Sequence, residues 1–205
     1  MGNHRGRNMA GIKRLFVILG VMSCSVAQAA LPTAPPTCSY GKVHPNAPKE
    51  IAQFDFMVGD YQVTMHRWLG KQWSPAQPGV TARWNGRYGL DGMAIVDEWF
   101  HPDPAQKPDS SRGINVRMYD HQENIWKMMW VATGALTVQD LRAEVRNDVL
   151  TMWQVYPERP NFMATFHVDD EDNWSRVSYT KGENGGWVEQ FMLKASRIPC
   201  EGQAN

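Results

Sequence analysis

Between Asp60 and Arg197 the chain breaks into about ten short strand-like segments, each bounded by residues that turn a backbone, and this ladder constrains the fold more than any other feature. The segments fall at 61–68, 80–88, 93–101, 113–119, 125–132, 141–146, 149–156, 162–168, 174–180 and 187–197. Gly89-Leu90-Asp91-Gly92, residues 120–124, Asn147-Asp148, residues 169–173 and residues 182–186 are hairpin-length connections rich in residues that tolerate positive φ. The connections 102–111 and 133–140 are read as long enough to be mobile loops. The expectation is all-β: a single antiparallel up-and-down barrel of about ten strands, with a short helical plug at 49–57 where Ala52, Phe54, Phe56 and Met57 supply an apolar face. A barrel that wide leaves room inside, so its interior side chains are the place to look for function.

The segment before the ladder reads as a signal for export. Arg5, Arg7, Lys13 and Arg14 precede an apolar run over 15–22, and Ala27-Gln28-Ala29 offers small residues for cleavage. The division expected is a signal peptide at 1–29, a Pro-rich leader at 30–48 with little regular structure, a barrel domain at 49–200 and a tail at 201–205. A periplasmic or secreted protein follows. Two alternatives use the same residues: a lipoprotein anchored through Cys24, and a degenerate twin-arginine signal at Lys13-Arg14. No later stretch is apolar enough to re-enter a membrane. Removing the signal takes away four cations and no acids, leaving 17 basic against 21 acidic side chains. With no basic patch, nucleic-acid binding is not expected. Cys38 and Cys200 then remain at the two ends of a domain whose first and last strands are neighbours, and a disulfide between them is expected.

In a barrel wall alternate residues face the lumen, so each strand is oriented by its apolar face. Lys127 marks the outside of the fifth strand and turns Trp126, Met128 and Trp130 inward. Gln190 and Lys194 do the same for the tenth, turning Trp187, Glu189, Phe191 and Leu193 inward. The second strand sends Thr81, Arg83, Asn85 and Arg87 out and Val80, Ala82, Trp84 and Tyr88 in. The seventh points Val149, Thr151, Trp153 and Val155 inward, and the eighth Phe162, Ala164, Phe166 and Val168. Of nine tryptophans, five would share the lumen (Trp84, Trp126, Trp130, Trp153 and Trp187), with Tyr88, Met128 and Phe191 completing a candidate ligand-binding wall. The plainer alternative is that these rings fill the barrel. Three ionisable groups lie on otherwise apolar faces, Arg67, Asp97 and Glu189, and are the candidate catalytic set; Glu98 and Arg117 replace them if the third and fourth strands face the other way. A structural ion pair near the rim is the alternative.

No metal site is expected, because His66, His101, His121 and His167 lack paired ligand spacing, and 169–172 lacks the pattern of a calcium loop. No cofactor is expected; had haem been bound, His66 or His167 would be its ligand. No nucleophile elbow, phosphate loop or dinucleotide fingerprint occurs.

Phe54-Asp55-Phe56-Met57-Val58-Gly59-Asp60-Tyr61-Gln62-Val63 resembles the opening of an uncharacterised family of exported bacterial proteins with a lipocalin-like (calycin) barrel. Three further stretches agree in order: Gly92 through Trp99, Arg117-Met118-Tyr119-Asp120 followed by Trp126 and Trp130, and Gly185-Gly186-Trp187. The resemblance implies the lipocalin-like fold over nearly the whole domain and lends no activity. The function expected is a periplasmic barrel that binds a small apolar or aromatic molecule in its lumen. Two alternatives stand beside it: a cofactor-free acid/base enzyme of isomerase, cyclase or lyase type, and an envelope interaction protein with a filled barrel and a partner surface at 102–111 or 133–140. Oligomeric state is not legible.

Overall fold

A computed structural model describes residues 38–76, 78, 80–101, 112–133 and 137–200. The expected signal peptide, Cys24, the first part of the leader (30–37), the 102–111 connection and the tail lie outside these residues. Ten strands are present: β1 (Gly59–Arg67), β2 (Ala82–Gly89), β3 (Ala94–Phe100), β4 (Arg112–Asp120), β5 (Ile125–Ala132), β6 (Thr137–Arg146), β7 (Val149–Tyr156), β8 (Phe162–Val168), β9 (Asn173–Lys181) and β10 (Trp187–Arg197). Each pairs antiparallel with its neighbours in sequence, and β10 returns to β1 with Val63 opposite Ala195, closing an up-and-down, lipocalin-like barrel. Closure leaves no strand edge with unpaired backbone groups.

Strand positions follow the ladder, with shifts of a few residues at the ends. The largest is in β6, which begins at Thr137 rather than 141, because Val138 and Gln139 find partners in Val131 and Trp130 of β5. The β6–β7 hairpin turns on Asn147 and Asp148, both at positive φ (49° and 63°), the conformation a two-residue hairpin requires.

One end of the barrel is stoppered. Lys49–Met57 forms a 3-10 helix that buries Ile51, Phe54 and Met57, while Ala52 stays exposed and Phe56 is only partly covered. Phe54 meets Trp126 and Phe166 edge to face, with ring centroids 4.8 and 5.4 Å apart. The helix ends against Gly86, where an added Cβ would collide with the Met57 carbonyl. Because that obstacle is backbone, Gly86→Ala is expected to cost about 1–3 kcal/mol by overpacking. Chemical denaturation checks this, and an unchanged midpoint would show that the plug can shift without cost.

The described part of the leader is better held than its composition suggests. Tyr40 accepts a backbone hydrogen bond from Tyr88 (2.8 Å), and His44 donates one to Gly92 (3.1 Å). Cys38 and Cys200 form the expected disulfide, with Cα atoms 5.7 Å apart. Beneath it lies Asp60, on the outer face of β1 and fully buried. Its Oδ2 accepts from the Cys38 N–H (3.1 Å) and the Tyr40 hydroxyl (3.0 Å). The Asn85 amide, in the orientation that satisfies both groups, donates to Asp60 Oδ1 at 3.0 Å. A buried carboxylate is tolerated when donors surround it in this way, so Asp60 ties the strap to the wall.

Candidate functional site

Opposite the plug, the upper half of the lumen holds a cavity of about 230 Å³, lined from β1 through β10. Its walls are aromatic and aliphatic: Trp84, Trp99, Trp130, Phe166 and Phe191, with Met65, Leu141, Met152 and Leu193. Trp84 is the hub. It meets Trp99 and Trp174 edge to face at 5.6 and 5.5 Å and lies nearly parallel to Trp130 at 6.4 Å. The Trp130 indole fits because Gly113 on the adjacent strand has no side chain; a Cβ there would overlap its ring. Met65, Trp99, Trp130 and Phe191 keep partial exposure at the mouthward end.

Three charged groups stand inside this apolar wall. Asp97 on β3 and Arg117 on β4 are buried to 0% and 1% exposure and form two bonds, Nε to Oδ2 at 2.5 Å and Nη2 to Oδ1 at 3.3 Å. Arg117 also donates Nη1 to Met128 Sδ (3.2 Å) and lies 4.6 Å above the Phe54 ring, so every nitrogen is used. Burial pushes the Asp97 carboxyl above the usual range, opposed by the pull of Arg117. Arg176 on β9 is the third. It donates Nη2 to Ser178 Oγ (3.2 Å), and its buried Nε has no partner. Burial first, then repulsion from Arg117, holds its guanidinium down to about 10, with Asp97 opposing.

The walls also carry unanswered polar atoms. Trp84 Nε1 and Asn115 Oδ1 are buried without hydrogen-bond partners, as is Trp174 Nε1 beneath Trp84. Such orphans are uncommon in folded proteins.

The expected site residues divide into three groups. Trp84, Trp130 and Phe191 line the cavity. Trp126, Met128 and Tyr88 face inward but belong to the packed floor: Trp126 donates to Gln53 Oε1 (2.8 Å) and Tyr88 to Asp55 Oδ1 (2.8 Å). Burial and that hydrogen bond push the Tyr88 phenol well up. Trp153, Trp187 and Glu189 lie outside.

Trp153 pairs with Arg142 and Met163, and its ring is covered by Arg146 at 4.4 Å, while Leu150 and Met152 turn to the core. The expected facing of β7 is thus reversed, because its sequence is apolar on both faces. In β10 the register shifts between Glu189 and Phe191, a bulge at Gln190 whose carbonyl accepts from Trp68 N–H (3.1 Å). Beyond the bulge each side chain changes face. Phe191 and Leu193 point inward as expected, whereas Glu189 pairs with Tyr179 on the outer face. Trp187 is 41% exposed beside Lys181.

The candidate catalytic set therefore does not assemble. Asp97 is inside, Glu189 is outside and Arg67 is exposed at the mouth. Arg117, named only as a substitute, is the true partner of Asp97, while Glu98 faces outward and pairs with Arg87 at 2.9 Å. His66 and His167 also face outward, bonded to Thr64 (3.0 Å) and Thr165 (2.8 Å), away from the lumen where a haem would sit. Arg176 and Asn115 were missed. The signal was present for Arg176, which alternates with Trp174 and Ser178 on the side of β9 opposite Val177, but no face of this strand was assigned from the sequence.

The fold and site define a closed, plugged β-barrel with a charged, tryptophan-walled lumen. Among the described residues no helix is long and apolar enough to cross a membrane. No protein-family model and no curated protein matches the chain. Among solved structures it is similar to the S-type phycobiliprotein lyase CPES from Guillardia theta, at 12% identity and a TM-score of 0.46, over 73% of this chain and 93% of that one. Likeness at that level adds nothing to a fold already defined by its strand pairing.

Proposed function

We propose that this protein binds a small apolar or aromatic molecule in the upper half of its lumen. One observation carries the reading: a cavity of about 230 Å³ walled by tryptophan and phenylalanine, whose lining residues Trp84, Asn115 and Arg176 each carry a buried polar atom without a partner. Interiors ordinarily close such space and pair such atoms. The volume lies below the range typical of drug-sized ligands, roughly 300–1,000 Å³, which suits a compact molecule or one end of a longer one.

The acid/base enzyme reading draws less support, since Asp97 is engaged by Arg117 and Glu189 lies on the outer wall. A filled barrel fits poorly with the same cavity. The disulfide is compatible with a periplasmic or secreted location. Membership of the exported lipocalin-like family is supported by the work its opening motif does here. Gly59 sits at φ 148°, a conformation that favours glycine, and Asp60 holds the strap.

Native mass spectrometry of protein purified gently from its own host is expected to show a bound small molecule that dissociates on denaturation. A reproducible bare mass, with no gain in melting temperature across a library of compact aromatic compounds, would remove the reading.

A further inference from the structure

We propose that the ligand is an anion: a compact aromatic or apolar carboxylate whose head group docks on Arg176 while its body lies against Trp84, Trp130 and Phe191. This rests on the lumen being a binding site and adds the chemical class of what enters it.

The argument begins with charge. Asp97 and Arg117 neutralise one another through two hydrogen bonds, and the remaining nitrogen of Arg117 is given to Met128. Arg176 is then the one uncompensated charge among the described residues lining the cavity. A guanidinium carries five N–H donors in a planar fork that matches a carboxylate. Here Ser178 takes up one nitrogen, and Nε is buried without a partner. Leaving such a cation in an apolar wall is costly for the empty protein, and its lowered affinity for the proton expresses the same strain. A carboxylate relieves it.

Two further residues of the same lining, Trp84 and Asn115, each carry a buried polar atom without a partner, a donor at Trp84 Nε1 and an acceptor at Asn115 Oδ1. A cationic ligand finds no free counter-charge here, since Asp97 is engaged by Arg117, and a phosphate dianion would bring two negative charges to one uncompensated positive charge with Asp97 close by.

The test compares naphthoate with naphthamide, which share a two-ring body and differ in charge, by calorimetric titration of the full mature protein. Naphthoate is expected to bind more tightly by about tenfold or more, the usual worth of a charge-assisted pair in an apolar site. In Arg176→Met that preference should vanish while naphthamide binding persists, with thermal melting of the empty variant equal to or above that of the wild type. Arg176→Lys, which keeps the charge and loses the fork, should retain part of the preference. Equal affinity for the two probes in the wild type, or a preference that survives Arg176→Met, would overturn the anion proposal and leave apolar binding standing. If neither probe binds, and neither do other compact aromatic acids and their amides, the lumen reading itself fails.

Discussion

Asp97→Asn is expected to lower folding stability by about 3–5 kcal/mol, the usual loss when one partner of a buried ion pair is removed. For a domain of this size that corresponds to a fall in Tm of roughly 10 °C. The shape of the side chain is preserved and one oxygen remains, so the loss reports charge and not packing. Arg117 would be left ionised beneath Phe54 and Phe166, at 4.6 and 5.8 Å from their rings, with no counter-charge. The matching variant is Asp97→Leu with Arg117→Met, which removes both charges and keeps volume. It should lie within about 1 kcal/mol of the wild type or above it, because desolvation of a buried pair commonly cancels its attraction. The upward push on the Asp97 carboxyl points the same way: burial outweighs the pull of Arg117. Urea denaturation of the two variants decides it. A single variant within about 1 kcal/mol of the wild type would mean that water or a neighbouring group reaches Arg117.

Loss of the Cys38–Cys200 bond is the other large effect. The bond spans a sequence separation of 162, and on the chain-entropy model opening such a loop costs about 5 kcal/mol, a reduction in Tm of roughly 10 °C or more. The structure adds a local consequence. Without the bond the Tyr40 and Cys38 contacts to Asp60 join the Tyr40–Tyr88 backbone bond in holding the strap, so Tyr40→Phe should be nearly silent in the oxidised protein and costly in the reduced one. Thermal unfolding of wild type and Tyr40→Phe, each with and without reductant, measures both terms. If reduction moves Tm by less than about 2 °C, the denatured chain is already restrained near these ends or the strap contributes little.

Much of the fold was legible because hairpin chemistry and period-two alternation are local signals. Asn147-Asp148 marks its own turn, and Lys127 alone orients β5 correctly. The disulfide was legible through topology: closing a barrel brings its ends together. Trp84, Trp130 and Phe191 were placed in the lumen by the alternation of polar and apolar residues along their strands. The failures are equally specific. β7 carries Val149, Trp153 and Val155 on one face and Leu150 and Met152 on the other, so hydrophobicity cannot choose between them. Arg146 covers the outward Trp153 ring, which only its position across the sheet makes possible.

What the amino-acid order determined by itself was the number of strands and their antiparallel order, since each depends on residues adjacent in the chain, and the closing of the ends follows from that topology. Tertiary structure alone decided the charged part of the site. The bulge at Gln190 moved Glu189 and Trp187 outside, and the juxtaposition of β3, β4 and β9 matched Asp97 with Arg117 and left Arg176 without a counter-ion. The physical reason is that a one-residue change of register inverts every side chain beyond it at little backbone cost, while the energy that selects the register comes from partners far away in sequence.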